Sequence, residues 1–143
     1  VSTGIFNWRI TKMKLGHVDH ITLNVTDIEA ATEAFKQLGM KVEGSLDDGD
    51  IVMLTDGDPE RPLQIQLDTV HEGMVPGLNH IAFFTKTVED DSTEIQDMGF
   101  DSRHDAFYQS RSGRTIFTFG GPDGVDLQLA RKDKRGEYED HPL

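Results

Sequence analysis

Residues 19–25 read DHITLNV, and 60 positions later residues 79–85 read NHIAFFT. Further pairs of similar residues follow at the same spacing: Ile28 with Val88, Phe35 with Ile95, and Gly39 with Gly99. Towards the end of each copy the spacing becomes 62, so that QIQL at 64–67 corresponds to DLQL at 126–129. A strand, a helical face and a terminating glycine that recur in one order predict two related modules, joined near 72–77.

Each module has the pattern of a βαβββ unit. In the first, alternating residues 17–25 predict a strand. The capping-box pattern at Thr26–Glu29 then predicts the start of a helix, and Gly39 suits its left-handed end. The remaining predicted elements are strands at about 41–46, 50–55 and 62–68, then strands at about 78–85, 103–109, 115–119 and 125–130 around a helix at 88–98.

The predicted fold is therefore α+β, with two βαβββ modules whose sheets pair and enclose a cleft. We expect one compact domain made of an N-terminal extension (1–14), the first module (15–72), the second module (73–131) and a charged C-terminal tail (132–143). The charge of the tail predicts a solvated segment.

Composition narrows the classes of function. The chain has 143 residues, no cysteine and a net charge of −12. Such a charge disfavours nucleic acid as a partner, and no apolar run has the ~18 residues of a membrane helix. The lack of cysteine excludes disulfides and thiolate metal sites and permits a reducing cytoplasm, which is the expected location. No signal-peptide pattern is visible at the start.

Four polar side chains are predicted to meet in the cleft. Alternation places Ile21, Leu23 and Val25 against the helix, so that His20 points the other way, and the repeat gives His80 the same orientation. Gln66 and Gln128 are likewise equivalent in the two modules. Two imidazoles and two amide oxygens are a donor set for a divalent cation. The alternative is a structural role, in which these side chains only satisfy their neighbours' hydrogen bonds.

These residues carry a family resemblance. Asp19-His20-Ile21, Gly77–Phe83 and Phe119–Leu129 resemble the strand openings and closing strand of the vicinal-oxygen-chelate superfamily. That superfamily includes glyoxalase I, methylmalonyl-CoA epimerase, extradiol dioxygenases and the fosfomycin and bleomycin resistance proteins. The resemblance covers about 17–130 and implies a divalent metal (zinc, nickel, manganese or iron) held by His20, Gln66, His80 and Gln128. It also implies a homodimer, in which the cleft is completed within one chain or across two.

One position departs from the superfamily pattern. Members related to glyoxalase and the epimerase have a glutamate where this chain has Gln128, and that glutamate is both metal ligand and proton-transfer base. An amide cannot take up a proton at physiological pH. Asp126 and Asp68, on the same strand faces as the glutamines, are the candidate catalytic replacements; solvated strand-end carboxylates are the alternative.

Several residues are candidates for substrate binding. Arg111 and Arg114 flank a turn that borders the cleft in the superfamily, and arginine suits carboxylate or phosphate groups. Phe84 and Tyr108 are aromatic candidates for stacking on a planar ligand. The alternatives are surface ion pairs for the arginines and core packing for the aromatic residues.

The sequence thus predicts a metal-dependent isomerase or lyase that acts on a small oxygen-rich metabolite. A non-catalytic binding protein without metal, similar to the bleomycin resistance proteins, is the second interpretation. A degenerate member used as an interaction module is the third.

Overall fold

A computed structural model of the chain describes residues 13–139. Within this range two helices, α1 (Ile28–Gln37) and α2 (Val88–Asp97), accompany nine strands. The strands are β1 (Val18–Val25), β2 (Lys41–Leu46), β3 (Ile51–Thr55), β4 (Gln64–Thr69), β5 (Gly77–Phe84), β6 (Asp101–Ser102), β7 (Tyr108–Gln109), β8 (Arg114–Gly120) and β9 (Asp126–Lys132).

All nine strands belong to one mixed sheet, which is not closed into a barrel. Its order is β2-β3-β4-β1-β5-β9-β8-β6, and β7 pairs with β8 beside β6. Within each module the first strand pairs in parallel with the last, as β1 with β4 and β5 with β9. The antiparallel pair β1–β5 joins the modules through their opening strands. The prediction of an α+β fold from two βαβββ modules is confirmed.

The helices pack on the sheet face that alternation predicts. Ile21, Leu23 and Val25 of β1 contact the cluster that includes the helix residues Ile28 and Phe35. In the second module, Val88 and Ile95 of α2 pack with Phe117, Phe119 and Leu129. Side chains of the alternate positions therefore point to the opposite face, where the two histidines lie. Neither helix of the described chain has the length and hydrophobicity needed to cross a membrane.

Two local predictions need correction. Asp27, not Thr26, caps α1, because its carboxylate accepts the Ala30 amide at 3.0 Å. The predicted strand at 103–109 is interrupted. Arg103 N donates to Thr118 O, and Tyr108 pairs with Ile116, so 104–107 bulge out of the ladder. The Arg103 side chain ion-pairs with Asp101 and Asp126, which favours the bend at this point.

The described part of the C-terminal tail, residues 132–139, makes more backbone contacts than its charge predicts. Its side chains are mostly exposed, but the backbone of residues 133–139, here called the C-terminal strap, crosses from one module to the other. Asp133 N donates to Gly113 O and Glu137 N donates to Arg111 O in the second module. Glu139 then pairs with Ser45 of β2 in the first module. The strap thus links the two ends of the open sheet.

Candidate functional site

The sheet face opposite the helices holds a cleft of about 220 Å³. His20, Gln66, His80 and Gln128, the four predicted ligands, all line it. Apolar side chains form its walls and polar ones its rim: Leu46, Ile51, Met53 and Ile116, then Tyr108, Ser110, Arg111 and Ser112. The structure therefore brings together, in one chain, the residues that the repeat relates.

The two histidines face each other through their Nε2 atoms, which are 3.2 Å apart. The Nδ1 atom of His20 lies 2.7 Å from Asp19 Oδ2, and that of His80 lies 2.8 Å from Asn79 Oδ1. The Asn79 amide is itself oriented by donation to Asn24 Oδ1 at 3.1 Å. Both partners of the rings are acceptors, so each imidazole carries its proton on Nδ1 and presents an Nε2 lone pair to the other.

Burial keeps both rings neutral. Burial lowers the pKa of His20, against the opposing hydrogen bond to Asp19. The pKa of His80 falls to about 4, first through burial and then through the repulsion that a protonated His20 would exert on a protonated His80. A proton shared between the rings at neutral pH is therefore disfavoured, while Thr22 Oγ1 can donate to His80 at 3.2 Å. Two facing lone pairs in a buried site fit a cation that accepts both.

The glutamines add oxygen atoms to this donor set. Gln66 Nε2 donates to Asp68 Oδ1 at 2.8 Å, and Gln128 Nε2 donates to Thr118 Oγ1 at 3.0 Å. Gln128 Oε1 is buried and has no hydrogen-bond partner among the described residues. Each amide nitrogen is oriented by a protein partner, so the oxygen is the atom of each side chain that is available as a metal ligand. Within residues 13–139 no three histidine or acidic side chains converge on one point, so a metal here would need the amide oxygens.

The two candidate carboxylates occupy different surroundings. Asp68 lies beside the cleft, against Gln66, and burial raises its pKa even though the hydrogen bond from Gln66 opposes the rise. Asp126 lies outside the cleft, in a separate pocket with Asn79 and Val125, and Arg103 Nε donates to its Oδ1 at 2.7 Å. Neither lines the cleft. Asp68 is the better placed of the two to exchange a proton with a ligand near Gln66.

The substrate-binding candidates separate into two groups. Tyr108 and Arg111 line the cleft, and Arg111 forms a two-pronged ion pair with Asp47 at 2.9 and 3.0 Å. This pair connects the turn after β2 with the turn before β8, across the cleft mouth. Arg114 and Phe84 instead line a second cavity on the same face of the sheet. Arg114 and Phe84 lie nearer to one end of their strands than the two histidines do. Their side chains therefore reach the second cavity and not the cleft.

Sequence reasoning missed Asp19 and Asp47. Asp19 Oδ2 accepts hydrogen bonds from His20 Nδ1 and from Arg114 Nε at 2.6 Å, and thereby fixes the orientation of the ring. The adjacency of Asp19 and His20 was the one local signal of this role. Nothing local indicates the partner Arg114, which is distant in the sequence.

Comparison with known proteins bears on the fold and the family. A family model described as the Glyoxalase/Bleomycin resistance protein/Dioxygenase superfamily matches residues 19–119. No curated protein sequence matches the chain.

Solved structures share the fold. A variant of Streptomyces coelicolor methylmalonyl-CoA epimerase in complex with 2-nitronate-propionyl-CoA is 24% identical, with a TM-score of 0.68 over 82% of this chain and 97% of that one. The epimerase from Mycobacterium tuberculosis is 19% identical, with a TM-score of 0.67 over 87% and 95%. A hypothetical protein from Bacillus halodurans C-125 is 20% identical, with a TM-score of 0.65 over 87% and 98%. Since the family model spans most of the chain, this protein belongs to the glyoxalase/bleomycin resistance protein/dioxygenase superfamily.

Proposed function

We propose that the cleft binds one divalent metal ion through His20, Gln66, His80 and Gln128 and acts on a small oxygen-rich metabolite as an isomerase or lyase. The observation that carries this proposal is the pair of Nε2 atoms 3.2 Å apart, both with their lone pairs turned inward. The buried Oε1 of Gln128, which has no hydrogen-bond partner within residues 13–139, supports it. Zinc, nickel, manganese and iron all accept nitrogen and oxygen donors of this kind.

When bound, the metal would act as a Lewis acid that polarises neighbouring substrate oxygens and stabilises negative charge. The chain's four donors are all neutral, so they would leave the charge of the ion undiminished and favour an anionic ligand. Leu46, Met53 and Ile116 in the cleft wall exclude water around such a ligand, which strengthens electrostatic interactions there.

Proton transfer needs a carboxylate, since Gln128 cannot accept a proton. We assign this role to Asp68, whose pKa burial raises and whose Oδ1 accepts the Gln66 amide. A raised pKa makes a carboxylate a stronger base. Asp126 is the second choice, because it does not line the cleft and its carboxylate is paired with Arg103.

The ligands present in structures of the neighbouring proteins indicate which substrate to test first. The Streptomyces coelicolor neighbour contains 2-nitronate-propionyl-CoA, and another epimerase structure contains methylmalonyl-CoA. Methylmalonyl-CoA is therefore the first compound to assay here, by incorporation of solvent deuterium. Exchange that is lost in Asp68→Asn would support a proton-transfer enzyme that uses this carboxylate.

Metal binding is tested by elemental analysis of untagged protein purified without chelators. We expect about one divalent ion per chain, or uptake of one when nickel, zinc or manganese is added. His20→Ala and His80→Ala should each abolish this uptake, while His71→Ala, an exposed histidine outside the cleft, should retain it. A wild-type protein that takes up none of these metals would contradict the proposal.

The second candidate function is a non-catalytic binding protein. It is favoured by one observation: an amide, and no carboxylate, lines the cleft at the closing strand. Such a protein would bind a small molecule without metal and would show no solvent exchange. Absence of both metal uptake and deuterium exchange would select it.

A homodimer remains a prediction from the resemblance. The two histidines meet within one chain, so the proposed site does not require residues from a second copy. Light scattering during gel filtration measures the state, and a monomer that binds metal would show that the site is complete in one chain.

A further inference from the structure

The helix side of the second module carries an apolar groove with a volume of about 650 Å³. It lies between the end of α2, the turn before β9 and the first described residues of the chain, on the opposite face of the sheet from the cleft. Eight of its nine lining residues are apolar, and Lys14 is the exception. Leu15 and Phe100, at its edge, are each 42% exposed. An apolar patch of this kind is typical of an interaction surface.

The groove exists because α2 covers its part of the sheet less completely than α1 does. Five of the ten residues of α2 are acidic, and only Val88 and Ile95 are apolar. At the repeat spacing of 60, Ile95 stands where α1 has the larger Phe35. Asp91 likewise stands where α1 has Ala31. The sheet beside α2 therefore keeps apolar surface that something other than the helix must cover.

The described chain begins in this groove, at Met13. The Met13 side chain is 8% exposed and packs in the core cluster of α2 with Ile95 and Phe119. Its backbone amide donates to Glu94 Oε1 of α2 at 3.4 Å. Residues 1–12 lie outside the described residues, and Met13 joins them directly to the groove. Since each extended residue spans about 3.3–3.6 Å, the last few of the twelve are within reach of the whole groove.

The sequence of residues 1–12 matches the chemistry of the groove. The segment reads VSTGIFNWRITK and contains no acidic residue. Phe6, Trp8 and Ile10 alternate with polar residues, a pattern typical of an extended segment with one apolar side. Arg9 and Lys12 are basic, whereas α2 at the side of the groove is acidic. The segment and the surface are thus complementary both in hydrophobicity and in charge.

We propose that residues 1–12 bind in this groove and cover the apolar surface that α2 leaves open. Phe6, Trp8 and Ile10 would face the groove, and Arg9 and Lys12 would lie near the acidic side chains of α2. The occupant is then the chain's own N-terminal segment, and neither a second copy nor a separate ligand. The proposal does not depend on metal in the cleft, because the cleft is on the other face of the sheet.

The fluorescence of Trp8 provides the first test. Trp8 is the only tryptophan of the chain, so its emission reports on this segment alone. A synthetic peptide of residues 1–14 supplies the values for the solvated segment. In the full chain we expect emission at a shorter wavelength than in the peptide, and severalfold weaker quenching by acrylamide. Emission and quenching equal to those of the peptide would overturn the proposal.

Two matched variants test whether the groove is the surface that covers Trp8. Phe100→Ser removes a groove side chain that is already 42% exposed, and Phe107→Ser makes the same change at a residue that is 40% exposed and outside the groove. Phe100→Ser should shift the emission of Trp8 and its quenching towards the peptide values. Phe107→Ser should change neither. Equal effects of the two variants would mean that Trp8 is buried elsewhere, which contradicts the proposal.

A nitroxide label, which quenches tryptophan fluorescence at short range, measures where the segment lies. The chain has no cysteine, so Gln96→Cys on α2 and Gln37→Cys on α1 each create one labelling position at an exposed glutamine. The label at 96 should quench Trp8, and the label at 37 should not. This quenching should be the same at all protein concentrations, since the contact is within one chain.

The label also distinguishes the other possible occupants. Quenching that grows with protein concentration would show that the segment binds to a second copy. Equal quenching from the two positions, or none from either, would leave the groove to another partner. Each of these results would overturn the proposal, and neither labelled variant changes a buried residue.

Discussion

At the scale of single residues, the site depends on Asp19. One of its oxygens accepts from both His20 and Arg114, so the carboxylate holds a neutral ring and a buried cation together. The nearby Arg114 charge and the hydrogen bond to His20 lower the pKa of Asp19 against the effect of burial. Because Asp19 stays ionised, His20 keeps its proton on Nδ1 and its Nε2 towards the cleft.

The neutrality of the histidines predicts how stability depends on pH. The pKa of His80 in the folded protein is about 4, below its ordinary value of 6.5. Between these values the unfolded chain binds more protons, so the free energy of unfolding should fall as the pH drops from about 6.5 to about 4. The full loss amounts to about 3 kcal/mol for this group. Urea denaturation of the metal-free protein across this pH range measures it.

A variant separates this effect from general acid denaturation. His80→Asn removes the group and should flatten the profile between about pH 6.5 and 4 relative to wild type. His71→Asn, which changes an exposed histidine with 63% of its side chain accessible, should leave the profile unchanged. A wild-type profile that is flat in this range would show that His80 is not held neutral by folding.

At the scale of secondary-structure elements, the sequence predicted best those strands that face a helix. For β1, β4 and β9, strict alternation gave both the strand and its buried face, because apolar side chains at every second position have a helix to pack on. The segment at 103–109 lacks that constraint. Its course is set by ion pairs of Arg103 with Asp101 and Asp126, and no local pattern reveals partners that the fold brings together.

The C-terminal strap, residues 133–139, is a second element that charge alone did not reveal. Tyr138 packs against Gly44 of β2, where a Cβ would come within 2.4 Å of the tyrosine Cβ. Its hydroxyl also accepts from Gln64 Nε2 at 3.2 Å. The strap therefore fits β2 only because position 44 has no side chain.

We expect Tyr138→Ala to loosen the strap by removing this packing. The free energy of unfolding should fall by about 1–3 kcal/mol, within the range of ordinary destabilising substitutions. Cleavage between 133 and 139 in limited proteolysis should become faster. Tyr138→Phe keeps the ring and loses one hydrogen bond, while Gln64 still donates to Glu43, so its effect should be smaller. Equal effects of the two variants would mean that the hydroxyl, not the packing, holds the strap.

At the scale of the whole molecule, the repeat in the sequence predicted the arrangement of the site. The matched positions of His20 and His80, and of Gln66 and Gln128, pointed to a shared cleft, and all four side chains line it. What the repeat could not provide is the set of links that exist once in the molecule. The Asp47–Arg111 pair depends on a turn in which Asp47 and Asp48 both adopt positive φ values, of 52° and 55°. Such links have no counterpart in the other module.

The links between modules predict that the chain unfolds as one unit. The β1–β5 ladder, the Asp47–Arg111 pair and the strap all cross the boundary. Leu54 is fully buried in the first module, so Leu54→Ala should cost about 2–5 kcal/mol. If unfolding is cooperative, the buried Phe117 amide in the second module exchanges hydrogen only through global unfolding. In Leu54→Ala the free energy of exchange at Phe117 should then fall by the same amount as the free energy of unfolding. Ile21→Val, a smaller deletion in the first module, should lower protection in both modules by a smaller, equal amount. If the protection of Phe117 does not change in Leu54→Ala, the two modules open separately. The two histidines, which come from different modules, would then face each other only while the interface between the modules stays closed.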